Sequence, residues 1–153
     1  MKLTSASEDD NRAAAQFLQE KIGKVDVVIA CAGKSFVVFF SVCPPSTSGS
    51  STGRATIASA TLTQLRSDFE INTIGPIVLF QAFESLLSAS DALGGAKFII
   101  VSSVLGQITE ASDYSYDAYG ISKAGANFVA KKLSQEIPGL ISFPMQYVIF
   151  EHS

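Results

Sequence analysis

Residues 96–103 read AKFIIVSS, a short apolar run that stops at two hydroxyls. At this length a continuous apolar run reads as a strand buried on both faces. The pattern occurs twice more. VDVVIAC, residues 25–31, lies between Gly23 and Gly33, and LISFPM covers residues 140–145. Helical periodicity fills the spaces between. Residues 8–22 put Ala14, Phe17, Leu18 and Ile22 on one face. Ser7 can cap that helix, with Asp10 three residues on as in a capping box, and Gly23 can end it in the left-handed conformation. Leu62, Leu65 and Phe69 begin a second run. It continues through IVLFQAFESLL to about Leu87 and should kink at Gly75-Pro76. Residues 117–135 form a third helix. Strands and helices alternating at this spacing mean repeated βα units, hence an α/β domain with a parallel sheet. Right-handed crossovers then place helices on both of its faces.

Composition agrees with that class. The 153 residues suit one domain, and 47% hydrophobic against 16% charged residues suits a sheet with little solvent-facing surface. The net charge is −3 and there is no basic tract, which leaves a nucleic-acid surface without electrostatic support. The opening MKLTSASEDD has no apolar stretch behind it and is not read as a signal peptide. Between Val25 and Cys43 two apolar runs are split by Gly33-Lys34-Ser35. Each is about half the ~20 residues of a spanning helix, so no membrane segment is expected there. The two cysteines, Cys31 and Cys43, fit neither a metal site nor a disulfide framework, and a reducing cytoplasmic setting follows by default. Residues 44–60, PPSTSGSSTGRATIASA, are low in complexity and read as a flexible loop unable to build a core.

Ligands of parallel α/β sheets bind beyond the carboxyl ends of the strands. After the first strand comes ACAG, residues 30–33, small enough to let something bulky approach the backbone; a plain tight turn reads the same. After the second comes SSVLG, residues 102–106, whose hydroxyls can meet a ligand or simply cap a loop. Farther on, Tyr119 and Lys123 stand four apart, on one helix face. An ammonium beside a phenol favours the phenolate, which suits the phenol for giving and recovering a proton near neutral pH. Ser103 can bond the same substrate oxygen. Taken alone, Tyr-xxx-Lys is a weak signal.

Order and context strengthen it. Strand, Ala-Gly turn, helix with INTIG at 71–75, strand, SSVLG, then YGISK opening a helix: in this order the chain resembles the short-chain dehydrogenase/reductase family. IVSSVLGQI and AYGISKAGANF are most similar to the fungal ketoreductases of polyketide pathways. The resemblance implies an incomplete Rossmann-type, doubly wound sheet over residues 1–153. It implies an NAD(P)-dependent oxidoreductase acting on a small carbonyl or alcohol substrate, with NADP slightly favoured over NAD. Tyr119 would be the general acid that protonates the carbonyl. Lys123 would support it and hold the cofactor ribose, Ser103 would orient and polarise the carbonyl, and Asn72 would help hold a proton-relaying water. Asn72 also has a plainer reading, as a packing or capping residue within a helix. Ala32 and Gly33 would line the cofactor beside Tyr119 and Lys123, and no metal is implied. Helices 62–88 and 117–135 would supply any homo- or hetero-oligomer contact.

The chain also departs from that pattern. It carries no TGxxxGxG loop, and KLTSAS stands where the family is in its third strand. Thr4 and Cys31 replace the usual aspartate and asparagine. Residues 36–60 read as an insertion and 146–153 as an atypical tail, with 36–55 and 146–153 consistent with translated intron sequence; His152 reads as an ordinary tail residue. Without the family's first strand, strand 25–31 should become an exposed edge unless residues 2–4 fill the vacant slot, and the chain should be marginally stable. The alternative to an active reductase is therefore a non-catalytic fragment or pseudoenzyme that associates with a full-length relative.

Overall fold

A computed structural model describes residues 4–33, 54–109 and 115–146. The strand stub at 2–3, most of the 36–60 insertion, the tail beyond Gln146 and His152 lie outside these residues. The order of elements is α1 (Glu8–Lys21), β1 (Val27–Ala30), α2 (Leu62–Phe69), a π-helical turn (Glu70–Ile74), α3 (Gly75–Ser88), β2 (Lys97–Val101), a short 3-10 turn (Val104–Gly106), α4 (Asp117–Glu136) and β3 (Ile141–Met145). The strands form one parallel sheet in the order β1-β2-β3. Val28 pairs with Phe98 and Phe98 with Ser142, so one register runs across all three strands. Pro144 has no N–H for a ladder and is tolerated because β3 is an edge strand among the described residues.

The even-numbered sheet residues Val28, Ala30, Phe98 and Ile100 are buried in one core with Phe80, Phe83, Leu86 and Leu87 of α3 and Ala126 and Ala130 of α4. Phe98 meets Phe80 edge to face, with ring centroids 5.3 Å apart. On α4 the inward stripe is Ala118, Ser122, Ala126 and Ala130, all buried. These small side chains let the helix backbone sit close to the sheet. The α1 helix packs on α3 rather than on the sheet. Both doubly wound faces were expected to carry helices; among the described residues all of the long helices share one. On the other face Val27, Ile29, Ile141, Phe143 and Met145 are exposed. The strand at 25–31, expected to be buried on both sides, is therefore buried on one side only.

Local chemistry explains most element boundaries. Ser7 accepts a hydrogen bond from the Asp10 N–H and starts α1. Gly23, at φ 71°, follows its end. The inward residues of α1 are Asn11, Ala14 and Ala15, with Leu18 beside them. Phe17 and Ile22, expected on that face, are exposed. The burial arc centres on Ala14 because α3 approaches there, which periodicity alone does not specify. Thr61 and Gln64 form a reciprocal capping box at α2.

The expected kink at Gly75-Pro76 is a π-helical turn placed just before the proline. Pro76 has no N–H to continue the i→i−4 ladder, and the Gly75 N–H reaches back to the Glu70 carbonyl instead. By length and apolar composition the run Leu62–Ser88 could cross a membrane; here Phe80, Phe83, Leu86 and Leu87 from it are core residues.

Two other expectations change. Residues 54–60 are not a free loop. Ala55 is buried and forms a parallel bridge with Tyr116, and the Ile57 N–H donates to Asp117 at 2.6 Å. Arg54 lies over the Tyr116 ring and donates to its hydroxyl at 3.0 Å. A low-complexity sequence still orders when a helix N-terminus offers it partners. Cys31 is disulfide-bonded, where cysteine spacing pointed to no bridge. Pairing depends on the approach of Cβ atoms, a tertiary property that spacing does not report.

Candidate active site

The residues beyond the carboxyl ends of β1 and β2 meet the start of α4. Tyr119 and Lys123 lie in the first two turns of α4, and both are buried. The four-residue spacing stacks them, with the Lys123 ammonium 5.6 Å from the centre of the Tyr119 ring. Lys123 is 4% exposed. Its Nζ donates to the carbonyl of Val101, the last residue of β2, at 2.8 Å. Burial pushes its pKa down from 10.5 to about 8.

Asn72 enters the same site from the π-helical turn. It is 1% exposed, and its Nδ2 donates to Ser122 Oγ at 2.9 Å. Ser122 in turn donates to the Tyr119 carbonyl at 2.7 Å, and Thr73 Oγ1 donates to the Ser122 carbonyl at 2.7 Å. The π turn is thus stitched to the helix that carries Tyr119 and Lys123. Gly125 permits the approach: a Cβ there would stand 2.8 Å from Thr73 Oγ1. Gly33 closes the site from the β1 side. A Cβ on Gly33 would stand 3.2 Å from Asn72 Oδ1 and 3.4 Å from Lys123 Nζ. A side chain larger than hydrogen would crowd both polar groups.

Ser103 stands at the start of the 3-10 turn and accepts from the Leu105 N–H at 3.3 Å. The capping reading therefore holds for Ser103 but not for Ser102, whose hydroxyl bonds Asn127, and it leaves the Ser103 hydroxyl proton available for donation. Of the residues singled out from sequence, Gly33, Asn72, Tyr119 and Lys123 converge directly. Ser103 joins them through Gly106, whose N–H donates to the Ser103 carbonyl at 3.0 Å. Ala32 is exposed beside Gly33.

The model of the short chain dehydrogenase family matches residues 1–140. The chain belongs to the short-chain dehydrogenase family. Among its relatives, the norsolorinic acid ketoreductase of Aspergillus parasiticus is 31% identical over 148 residues, which cover 94% of this chain and 48% of that protein. The short chain dehydrogenase gsfK of Penicillium aethiopicum is 34% identical over 145 residues, covering 92% and 51%. The chain spans about half the length of these curated relatives. An NADPH-bound carbonyl reductase from chicken fatty liver superposes with a TM-score of 0.74 at 23% identity, over 94% of this chain and 54% of that one. That likeness is one of fold, a Rossmann-type α/β sheet.

In this member of the short-chain dehydrogenase family, the sequence reading left unassigned the bonds that tie the site together. Ser122 lies between Tyr119 and Lys123 and was legible only as part of the YGISK string. Ser102 is 2% exposed and bonds Asn127. Asn127 lies four residues after Lys123, and that spacing was a usable signal that it shares the helix face.

Proposed function

We propose that the chain is the catalytic-side portion of an NAD(P)-dependent oxidoreductase that interconverts a small carbonyl compound and its alcohol. The observation that carries this reading is the buried Lys123 ammonium beside Tyr119, at the carboxyl end of β2. The family match and the ketoreductase relatives support the same reaction class. Tyr119 gives its proton to the carbonyl oxygen during reduction and recovers it in the reverse direction. Lys123 stabilises the oxyanion that Tyr119 becomes. Ser103 donates its hydroxyl proton to the same carbonyl oxygen and orients the substrate. Asn72 fixes the geometry of the α4 turn between Tyr119 and Lys123 through Ser122.

The residues present fit the nicotinamide side of a dinucleotide. Gly33 leaves open the space against Asn72 and Lys123 that a Cβ would fill, and Lys123 offers donors to ribose hydroxyls. Gly33, Tyr119 and Lys123, with Ala32 alongside, would hold the group there. When bound, the cofactor supplies or accepts the hydride. The family match supports a nicotinamide dinucleotide, NADP or NAD, and the titration below compares the two. The exposed Leu62, Phe69, Ile121 and Phe128 on α2 and α4 support association of subunits through those helices; sedimentation of the purified chain tests that.

The deciding experiment titrates the purified chain with NADPH and with NADH, following cofactor fluorescence, and then offers the complex an aromatic ketone. Saturable micromolar binding with turnover that Tyr119→Phe abolishes bears out the reading. No binding at millimolar cofactor would favour the non-catalytic alternative.

A further inference from the structure

We propose that Asn127 is the positioning residue for Ser103. The proposal rests on the reading of Ser103 as the group that orients the carbonyl. One amide side chain brackets that serine. Asn127 Oδ1 accepts from Ser102 Oγ at 2.5 Å, and Asn127 Nδ2 donates to the Gly106 carbonyl at 3.0 Å. The orientation of the amide follows from chemistry: a backbone carbonyl only accepts, so the nitrogen must face Gly106 and the oxygen must face the hydroxyl.

Each end of the bracket is anchored again. The Ser102 N–H donates to the Met145 carbonyl of β3 at 2.7 Å. Gly106 lies against the Lys123 backbone so closely that a Cβ would stand 2.7 Å from the Lys123 carbonyl carbon. Between the anchors, the Gly106 N–H bonds the Ser103 carbonyl and the Leu105 N–H bonds the Ser103 hydroxyl. Ser103 has no direct tie of this kind to α4. Its position relative to Tyr119 and Lys123 is set through its neighbours. Residues 102 and 106 are held by a side chain one turn beyond Lys123, Ser102 Oγ also lies 3.5 Å from the Lys123 carbonyl, and the Leu105 carbonyl packs against Gly120. The two side-chain bonds of Asn127 go to Ser102 and Gly106 and not to a proposed reacting group. Its effect is on where Ser103 stands, and a small misplacement of such a group costs about 100-fold in rate.

The test compares wild type with Asn127→Leu, Asn127→Asp and Ser102→Ala. Asn127→Leu removes both bonds. Asn127→Asp keeps the acceptor for Ser102 and turns an anion on the Gly106 carbonyl; it carries the test if the leucine variant does not fold. In NADPH-dependent reduction of an aromatic ketone, the expected result is a kcat lowered about 100-fold with the KM for NADPH changed less than about twofold. Ser102→Ala combined with Asn127→Leu should be little worse than Asn127→Leu alone, since both break one bracket and the added loss is the long 3.5 Å contact from Ser102 Oγ to the Lys123 carbonyl. A folded variant that keeps its kcat overturns the proposal. If wild type itself does not turn over, the functional reading has failed, and amide hydrogen exchange judges the bracket on its own. Leu105 and Gly106 should then exchange about tenfold faster in Asn127→Leu, with Ile99 and Ile100 of β2 unchanged. Equal exchange at all four amides overturns the proposal.

Discussion

Replacing Lys123 with methionine should stabilise this chain at neutral pH while destroying its proposed chemistry. The ammonium is buried, and burial lowers its pKa from 10.5 to about 8. The unfolded chain therefore binds this proton more tightly than the folded chain does. Below pH 8 both states are charged and the folded state carries the full penalty, ~3 kcal/mol. Between pH 8 and 10.5 the folded state sheds the proton first, so stability rises with pH; above 10.5 the penalty has gone. Methionine never carries it, but it leaves the Val101 carbonyl without its Lys123 donor, at about 1 kcal/mol. The variant should then be more stable than wild type by ~2 kcal/mol at pH 7 and slightly less stable at pH 10.5. Urea unfolding of both proteins in a Tyr119→Phe background, so that the phenol beside Lys123 does not titrate, followed by circular dichroism across that range, gives the difference. A difference that stays constant within about 0.5 kcal/mol from pH 7 to 10.5 would refute the reasoning.

Other expectations follow from particular contacts. Phe98→Ala empties the centre of the middle strand beneath Phe80 and should lower stability by about 3–5 kcal/mol in denaturant titrations. Thr61→Ala removes one half of the capping box that starts α2 and should cost about 1 kcal/mol, measured the same way. Gly106→Ala should drive the α4 backbone away at Lys123 and weaken NADPH binding in the fluorescence titration, whereas Gly94→Ala, whose Cβ meets nothing within 4 Å, should leave binding unchanged despite its strained φ of 92°. The open sheet face should bind an apolar fluorescent dye, and Val27→Lys with Phe143→Lys should reduce the signal without loss of helical circular dichroism.

The sequence alone carried the order of elements, the parallel α/β class and the family. Those follow from local rules: apolar runs of strand length, helical spacing between them, and YGISK placed after a strand that ends in two serines. The candidate site residues Asn72, Ser103, Tyr119 and Lys123 could be nominated for the same reason, since each lies in a short string at a strand end or helix start. What tertiary structure decided was which faces are covered and what holds the site. Phe17 and Ile22 share the period of Ala14 and Leu18 yet are exposed, because α3 touches only the arc centred on Ala14. Val27 and Ile29 are as apolar as Val28, yet in the described fold helices pack on one face of β1 only. Residues 54–60 look structureless in composition and are pinned by Tyr116 and Asp117, some sixty residues on. The proline's missing N–H foretold a break near residue 76; that the break is a π turn bonding Asn72 to Ser122 depends on how closely Gly125 lets α4 approach. Spacing reports neighbours along a chain, and the distance from Asn72 to Ser122, or from Asn127 to Ser102 and Gly106, exists only once the chain is packed.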